Sequence, residues 1–91
     1  MYTKNTIVKN RTGLHARPAS DFVNAAKSFK CKINIWRTAD ESEKANAKSI
    51  VALLALGFEQ NEEVTIGADG DNAQAAVDTL IELIDSGFGE T

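Results

Sequence analysis

The chain is poor in the residues that usually announce chemistry. It has one cysteine, Cys31, one histidine, His15, and one proline, Pro18. A lone cysteine excludes an internal disulfide and any multi-cysteine metal site, and it suits a reducing compartment. The longest apolar run, residues 50–58, is far too short to cross a bilayer. The opening "MYTKNTIVKNRTG" carries charges where a signal peptide would have its apolar core. These features predict a cytoplasmic protein with no membrane insertion. Excess positive charge is missing too: the net charge of −3 argues against nucleic-acid binding, which calls for a basic stripe. No glycine-rich nucleotide loop is present, which counts against a nucleotide enzyme.

The 91 residues allow one core, so residues 1–91 are expected to form a single domain. Charge is unevenly placed along it. Lys9, Arg11, Arg17, Lys27, Lys30 and Lys32 lie early, whereas acidic residues crowd into 40–43, 59–63 and the C-terminal segment. That asymmetry favours an acidic partner or an anionic ligand at the N-terminal end.

Hydrophobic spacing gives the elements. Residues 3–9 read as a strand, with β-branched Thr6, Ile7 and Val8. From Ala16 to Phe29, Ala19, Phe22, Val23 and Ala26 repeat at helical spacing. Pro18 suits the first turn of that helix, where backbone N–H groups lack intrahelical partners anyway. In "CKINIW", Cys31, Ile33 and Ile35 share one face of a strand, and Trp36 falls on the polar face, where partial exposure is expected. The charged "RTADESEKAN" predicts a loop with a weak strand near Glu43–Ala47. "KSIVALLALG" reads as a short helix with Ser49 as N-cap and Gly57 as its stop. "EEVTIGA" is a strand with Val64 and Ile66 inward. Asp71 and Gln74 approximate a capping box for the last helix. Its stripe is Ala73, Ala76, Val77, Leu80, Ile81 and Ile84, and Gly87 ends it. The order β-α-β-β-α-β-α fits an α+β sandwich, one mainly antiparallel sheet with its helices on one face.

The single histidine lies in "TGLHARPAS". Gly13 can take positive φ, turn the chain sharply and lift the next side chains outward. The helix that follows offers free N–H groups and the positive end of its dipole, which together make an anion site. Arg17 adds a planar cation suited to phosphate. The same field favours a neutral imidazole, whose free lone pair can attack phosphorus. A phosphoryl group on His15 would then sit beside Arg17 and the backbone of Ala16 and Arg17, and position and charge compensation are most of what phosphoryl transfer asks of a protein. No carboxylate is near in sequence, and a neutral imidazole nucleophile needs none. The residues alone leave a plainer reading open: His15 caps the helix and Arg17 is a solvated charge.

"GLHARPAS" and "NAKSIVALLALG", with "EVTI" before "GADGDNAQAAVDTL", resemble the HPr family, the histidine-containing phosphocarriers of the bacterial sugar phosphotransferase system. The likeness runs over essentially the whole chain. It implies an open-faced β-sandwich with a four-stranded, mainly antiparallel sheet and three helices on one face. It further implies that His15 is phosphorylated on Nδ1 by the phosphoenolpyruvate-dependent enzyme I. The group would then pass to a histidine or cysteine of a sugar-specific enzyme II component, such as enzyme IIA. Arg17 would be the charge partner, no cofactor or metal would be needed, and the protein would be a stoichiometric carrier, monomeric, with no turnover of its own.

Ser49 reads by position alone as a helix cap. The resemblance of "NAKSI" to the regulatory segment of the family implies phosphorylation of Ser49 by HPr kinase/phosphorylase, with a catabolite-control transcription factor as a further partner. A phosphate there would be compatible with the helix N-terminus and would weaken docking of enzyme I by repulsion. The helix after Ser49 is too apolar for a plain surface helix. Leu53 and Leu56 can face the core, but Ile50, Val51 and Leu54 cannot all join them. Core burial and an exposed docking patch are the two explanations. The resemblance favours the patch, so Ile50, Val51 and Leu54, with Thr12 and Ser20 beside His15, are the partner-contact candidates.

Two departures stand out. Residues 37–46 are longer and more acidic than a tight hairpin and lack an Asn-Gly or Asp-Gly turn. Val51 and Leu54 stand where methionines are common in the family, giving a stiffer surface. Two other functions compete with the carrier. One is an HPr-like regulatory protein whose phosphorylation state controls a transcription factor or enzyme. The other is an unrelated α+β module that binds phosphate compounds without covalent transfer.

Overall fold

A computed structural model describes residues 1–89. In order these are β1 (Tyr2–Ile7), α1 (Ala16–Lys27), β2 (Lys32–Arg37), β3 (Ala45–Asn46), α2 (Ile50–Leu56), β4 (Glu63–Asp69) and α3 (Ala73–Asp85), followed by a short turn of 3-10 helix at Gly87–Gly89. The four strands form one sheet in the order β1-β4-β2-β3, every neighbouring pair antiparallel. This is the expected open-faced sandwich, with three helices on one face of the sheet.

Alternation in the strands decides which face is covered. Ile33 and Ile35 of β2, with Val64, Ile66 and Ala68 of β4, point to the helices and are buried. Against them pack Ala19, Phe22, Val23 and Ala26 from α1, and Ala76, Val77, Leu80 and Ile84 from α3. Each large aliphatic side chain buried there contributes roughly 1.5–3 kcal/mol. On β1, the edge strand, polar groups tie the sheet to α3. Lys4 and the Tyr2 hydroxyl both reach Asp78, at 2.9 and 3.1 Å, and Thr6 bonds to Asp85.

Several local expectations need correction. Trp36 is buried, at 4% exposure, although it lies on the outer face. A Cβ on Gly67 would come within 2.9 Å of the indole, so only glycine leaves room for it. Lys44 Nζ covers the ring at 4.4 Å. Beside it, Thr38, Thr65 and Asn5 form a hydrogen-bonded row across the sheet. The outer face therefore has its own small covered area. The acidic loop yields a strand of two residues, Ala45–Asn46, in place of Glu43–Ala47. Helix α1 stops at Lys27, two residues before Phe29, and Lys48 Nζ caps the freed Phe29 carbonyl. Asp71 and Gln74 form no capping box: Asn72 is the N-cap of α3, in left-handed conformation and without a side-chain cap bond.

Candidate functional site

The loop that carries His15 is built by three anchors. Asn10 is buried, and its amide Nδ2 donates to the Gly13 carbonyl at 2.8 Å and to the Thr12 hydroxyl at 3.0 Å. Gly13 has φ +70°, and a Cβ there would lie 2.5 Å from the Phe58 carbonyl oxygen. Any side chain at this position would be both strained and blocked. Leu14 is fully buried and its N–H donates to that same Phe58 carbonyl at 3.0 Å. With Leu14 pinned inward, the next residue emerges, and the His15 side chain is 36% exposed.

His15 is the N-cap of α1, with extended backbone (φ −130°, ψ 165°), and its side chain makes no cap bond. The imidazole is thus not spent on the helix. Ala16 has φ +50°, a left-handed conformation that an L side chain takes only under strain. The first-turn N–H groups of Ala16 and Arg17 have no intrahelical acceptor, and Pro18 has no N–H to offer. Arg17 is exposed and makes no ion pair among the described residues. It walls a cleft of about 300 Å³ with Pro18, Asp21, Phe88 and Gly89. Thr12 and Ser20 are exposed as well. Lys30 and Lys32, by contrast, line a separate cavity with Asn34, Asn46 and Lys48.

One carboxylate does reach the histidine, from a part of the chain distant in sequence. Glu59 Oε1 lies 3.7 Å from His15 Nε2. Its backbone is held by a network centred on Arg37, a residue read from sequence as part of a loop. The Arg37 guanidinium donates to Glu62 at 3.0 Å and to the carbonyls of Leu56 and Gly57 at 2.7 and 3.1 Å, and stacks 4.9 Å from the Phe58 ring centre. Glu62 in turn accepts the Glu59 N–H at 2.9 Å. The Arg37 hydrogen bond holds the Glu62 carboxyl below the ordinary glutamate range, against burial, and the Glu59 N–H adds to the effect. Arg37 therefore caps the C-terminus of α2, fixes Phe58, and through Phe58 fixes Gly13 and Leu14.

Ser49 is the N-cap of α2, its hydroxyl accepting the Ala52 N–H at 3.1 Å, and Gly57 ends the helix with φ +61°. Leu53 is buried and Leu56 half-buried, while Ile50, Val51 and Leu54 are 38, 75 and 44% exposed. The apolar surplus of α2 is thus a surface feature. Among the described residues no three His, Cys, Asp or Glu side chains gather as metal ligands, and no helix is long and apolar enough to cross a membrane.

The site is thus a half-exposed histidine that an open-faced sandwich lifts to a helix start without a side-chain cap. A family model described as the HPr component phosphorylation site of the phosphotransferase system matches residues 2–86, and the chain belongs to the HPr family of phosphocarriers. The crystal structure of an HPr from Thermoanaerobacter tengcongensis superimposes with a TM-score of 0.93 at 41% identity, covering 100% of this chain and 99% of that one. The phosphocarrier protein HPr of Vibrio cholerae is 39% identical over 93% of this chain and 96% of its own length. A multiphosphoryl transfer protein of Haemophilus influenzae is 39% identical over 91% of this chain, which spans only 17% of that longer protein.

Proposed function

We propose that this chain is a cytoplasmic phosphocarrier that accepts a phosphoryl group on His15 Nδ1 from enzyme I and passes it to enzyme IIA components during sugar uptake. The observation that carries this reading is the N-terminus of α1, which His15 caps by backbone alone, so that its side chain makes no cap bond to the first-turn N–H groups. The acceptor's lone pair attacks phosphorus, and the phosphoryl oxygens are met by the N–H groups of Ala16 and Arg17 and by the Arg17 guanidinium. Transfer onward reverses the same bond, so the protein acts stoichiometrically, as a monomer and without a cofactor or metal.

Ile50, Val51 and Leu54, with Thr12 and Ser20, form the docking surface in this reading. Their exposed apolar area is of the kind that partners cover. Ser49 is the regulatory position. Its phosphorylation by HPr kinase/phosphorylase would keep an oxygen at the Ala52 N–H while placing negative charge against the docking patch, and would engage a catabolite-control transcription factor.

The test uses the protein with enzyme I, magnesium and phosphoenolpyruvate. An acid-labile mass gain of one phosphoryl group, absent from His15→Ala, is expected. No gain in the unaltered chain, or an equal gain in His15→Ala, overturns the carrier reading. With HPr kinase and ATP, an acid-stable phosphate that disappears in Ser49→Ala is expected.

A further inference from the structure

The His15 ring has two nitrogens, and the structure gives one of them a neighbour. Glu59 Oε1 stands 3.7 Å from Nε2. That is ion-pair distance, longer than a hydrogen bond, and it is the spacing from which such contacts tighten when a site is occupied. Glu59 is poised there by its backbone. Its N–H is held by Glu62, the Glu62 N–H returns to the Glu59 carbonyl at 3.3 Å, and Arg37 holds Glu62. The Glu59 side chain is itself 68% exposed, so it is free to close the remaining distance without disturbing the core.

We infer that Glu59 is a positioning residue for the His15 ring: its carboxylate takes the Nε2 proton's hydrogen bond, which keeps the proton on Nε2 and the nucleophilic lone pair on Nδ1. In neutral imidazole one nitrogen donates and the other accepts, and the partner of one decides the state of the other. Nδ1 is the nitrogen closer to the residue's own backbone, and so to the open helix start. This inference rests on the carrier reading and assigns the side of the ring which that reading leaves unattended.

The chemistry balances without a proton transfer. The Nδ1 lone pair forms the new N–P bond as the donor's bond to phosphorus breaks and its electron pair leaves with the donor. The ring then carries the phosphoryl group on Nδ1, a proton on Nε2 and a positive charge. Glu59 balances that charge, just as Arg17 balances the phosphoryl oxygens. When the group moves on, the N–P pair returns to Nδ1 and the neutral ring keeps its Nε2 proton. Glu59 thus favours the protonated ring, which is the better leaving group.

Nitrogen-15 NMR of the His15 ring, at a pH where it is neutral, reads the tautomer directly. In Glu59→Ala the ratio of Nε2–H to Nδ1–H forms should fall by about threefold, the size a net hydrogen bond supports. Glu59→Gln keeps an acceptor oxygen and should keep the ratio of the unaltered chain. Onward phosphoryl transfer should slow in both variants, because both lose the charge. An unchanged ratio in Glu59→Ala overturns the inference, as does a Gln variant that behaves like Ala in the tautomer ratio. Loss of the carrier reading is distinguished by the mass-gain experiment, which Glu59→Ala should pass and His15→Ala should not.

Discussion

Helices α1 and α2 begin in opposite ways. At the start of α2, Ser49 closes the end: its hydroxyl takes the Ala52 N–H, and the helix needs nothing further. At the start of α1, His15 leaves the end open, and the following Ala16 is held at positive φ. A helix that served only the fold would be served by a serine at position 15. The uncapped end forgoes about 1 kcal/mol of stability that a good cap contributes, and the strained Ala16 adds a cost of similar order. What α1 keeps in return is an imidazole beside first-turn N–H groups that no side chain caps, the arrangement on which the proposed carrier role rests. The surrounding anchors, Asn10, Gly13 and Leu14, hold that arrangement against relaxation.

Removing each cap residue separates the two helix starts most sharply. His15→Ala should abolish phosphoryl acceptance altogether, as mass spectrometry would show, while leaving the fold intact. Arg17→Ala should slow transfer on the order of ten- to hundredfold, the worth of a hydrogen bond to a charged group, measured as single-turnover rates with enzyme I. Arg37→Ala acts on the scaffold beneath the site. Losing its bonds to Glu62, Leu56 and Gly57 should cost about 2 kcal/mol in urea unfolding.

The Arg37–Glu62 pair also predicts a pH effect. Because the native protein lowers the Glu62 carboxyl below its ordinary value of 4.5, the pair's contribution is complete above that value. It is lost as pH falls through the lowered one. Acid unfolding should therefore be less steep in Arg37→Ala over that window. Smallest is Ser49→Ala, which should lower stability by about 1 kcal/mol and leave phosphoryl acceptance by His15 unchanged. A fall in acceptance with Ser49→Ala would mean that the two helix starts are not independent.

Much of this was legible in the chain. Strand alternation and helical spacing gave the element order, because each signal is local. The surplus of apolar residues after Ser49 left core burial and an exposed patch both open, and the resemblance favoured the patch; a seven-residue helix has one buried face, and Leu53 occupies it. What escaped was long-range. Glu59 reaches His15 only because the Leu14 N–H and the Gly13 turn both close on Phe58. Arg37 looks like the start of a charged loop until the α2 carbonyls turn to meet it. Trp36 looked exposed because the space it fills is made by a missing side chain, at Gly67 on another strand. Positive φ at Ala16 has no sequence signal, since it is glycine, asparagine and aspartate that mark left-handed positions, not alanine.

In the proposed carrier, the open start of α1 receives the phosphoryl group on the ring nitrogen nearest the helix. Nitrogen-15 and phosphorus-31 NMR of the chain phosphorylated by enzyme I would identify that nitrogen. Coupling of phosphorus to His15 Nδ1 is the predicted result. Phosphorus on Nε2, the side facing Glu59, would rule out acceptance at the helix start.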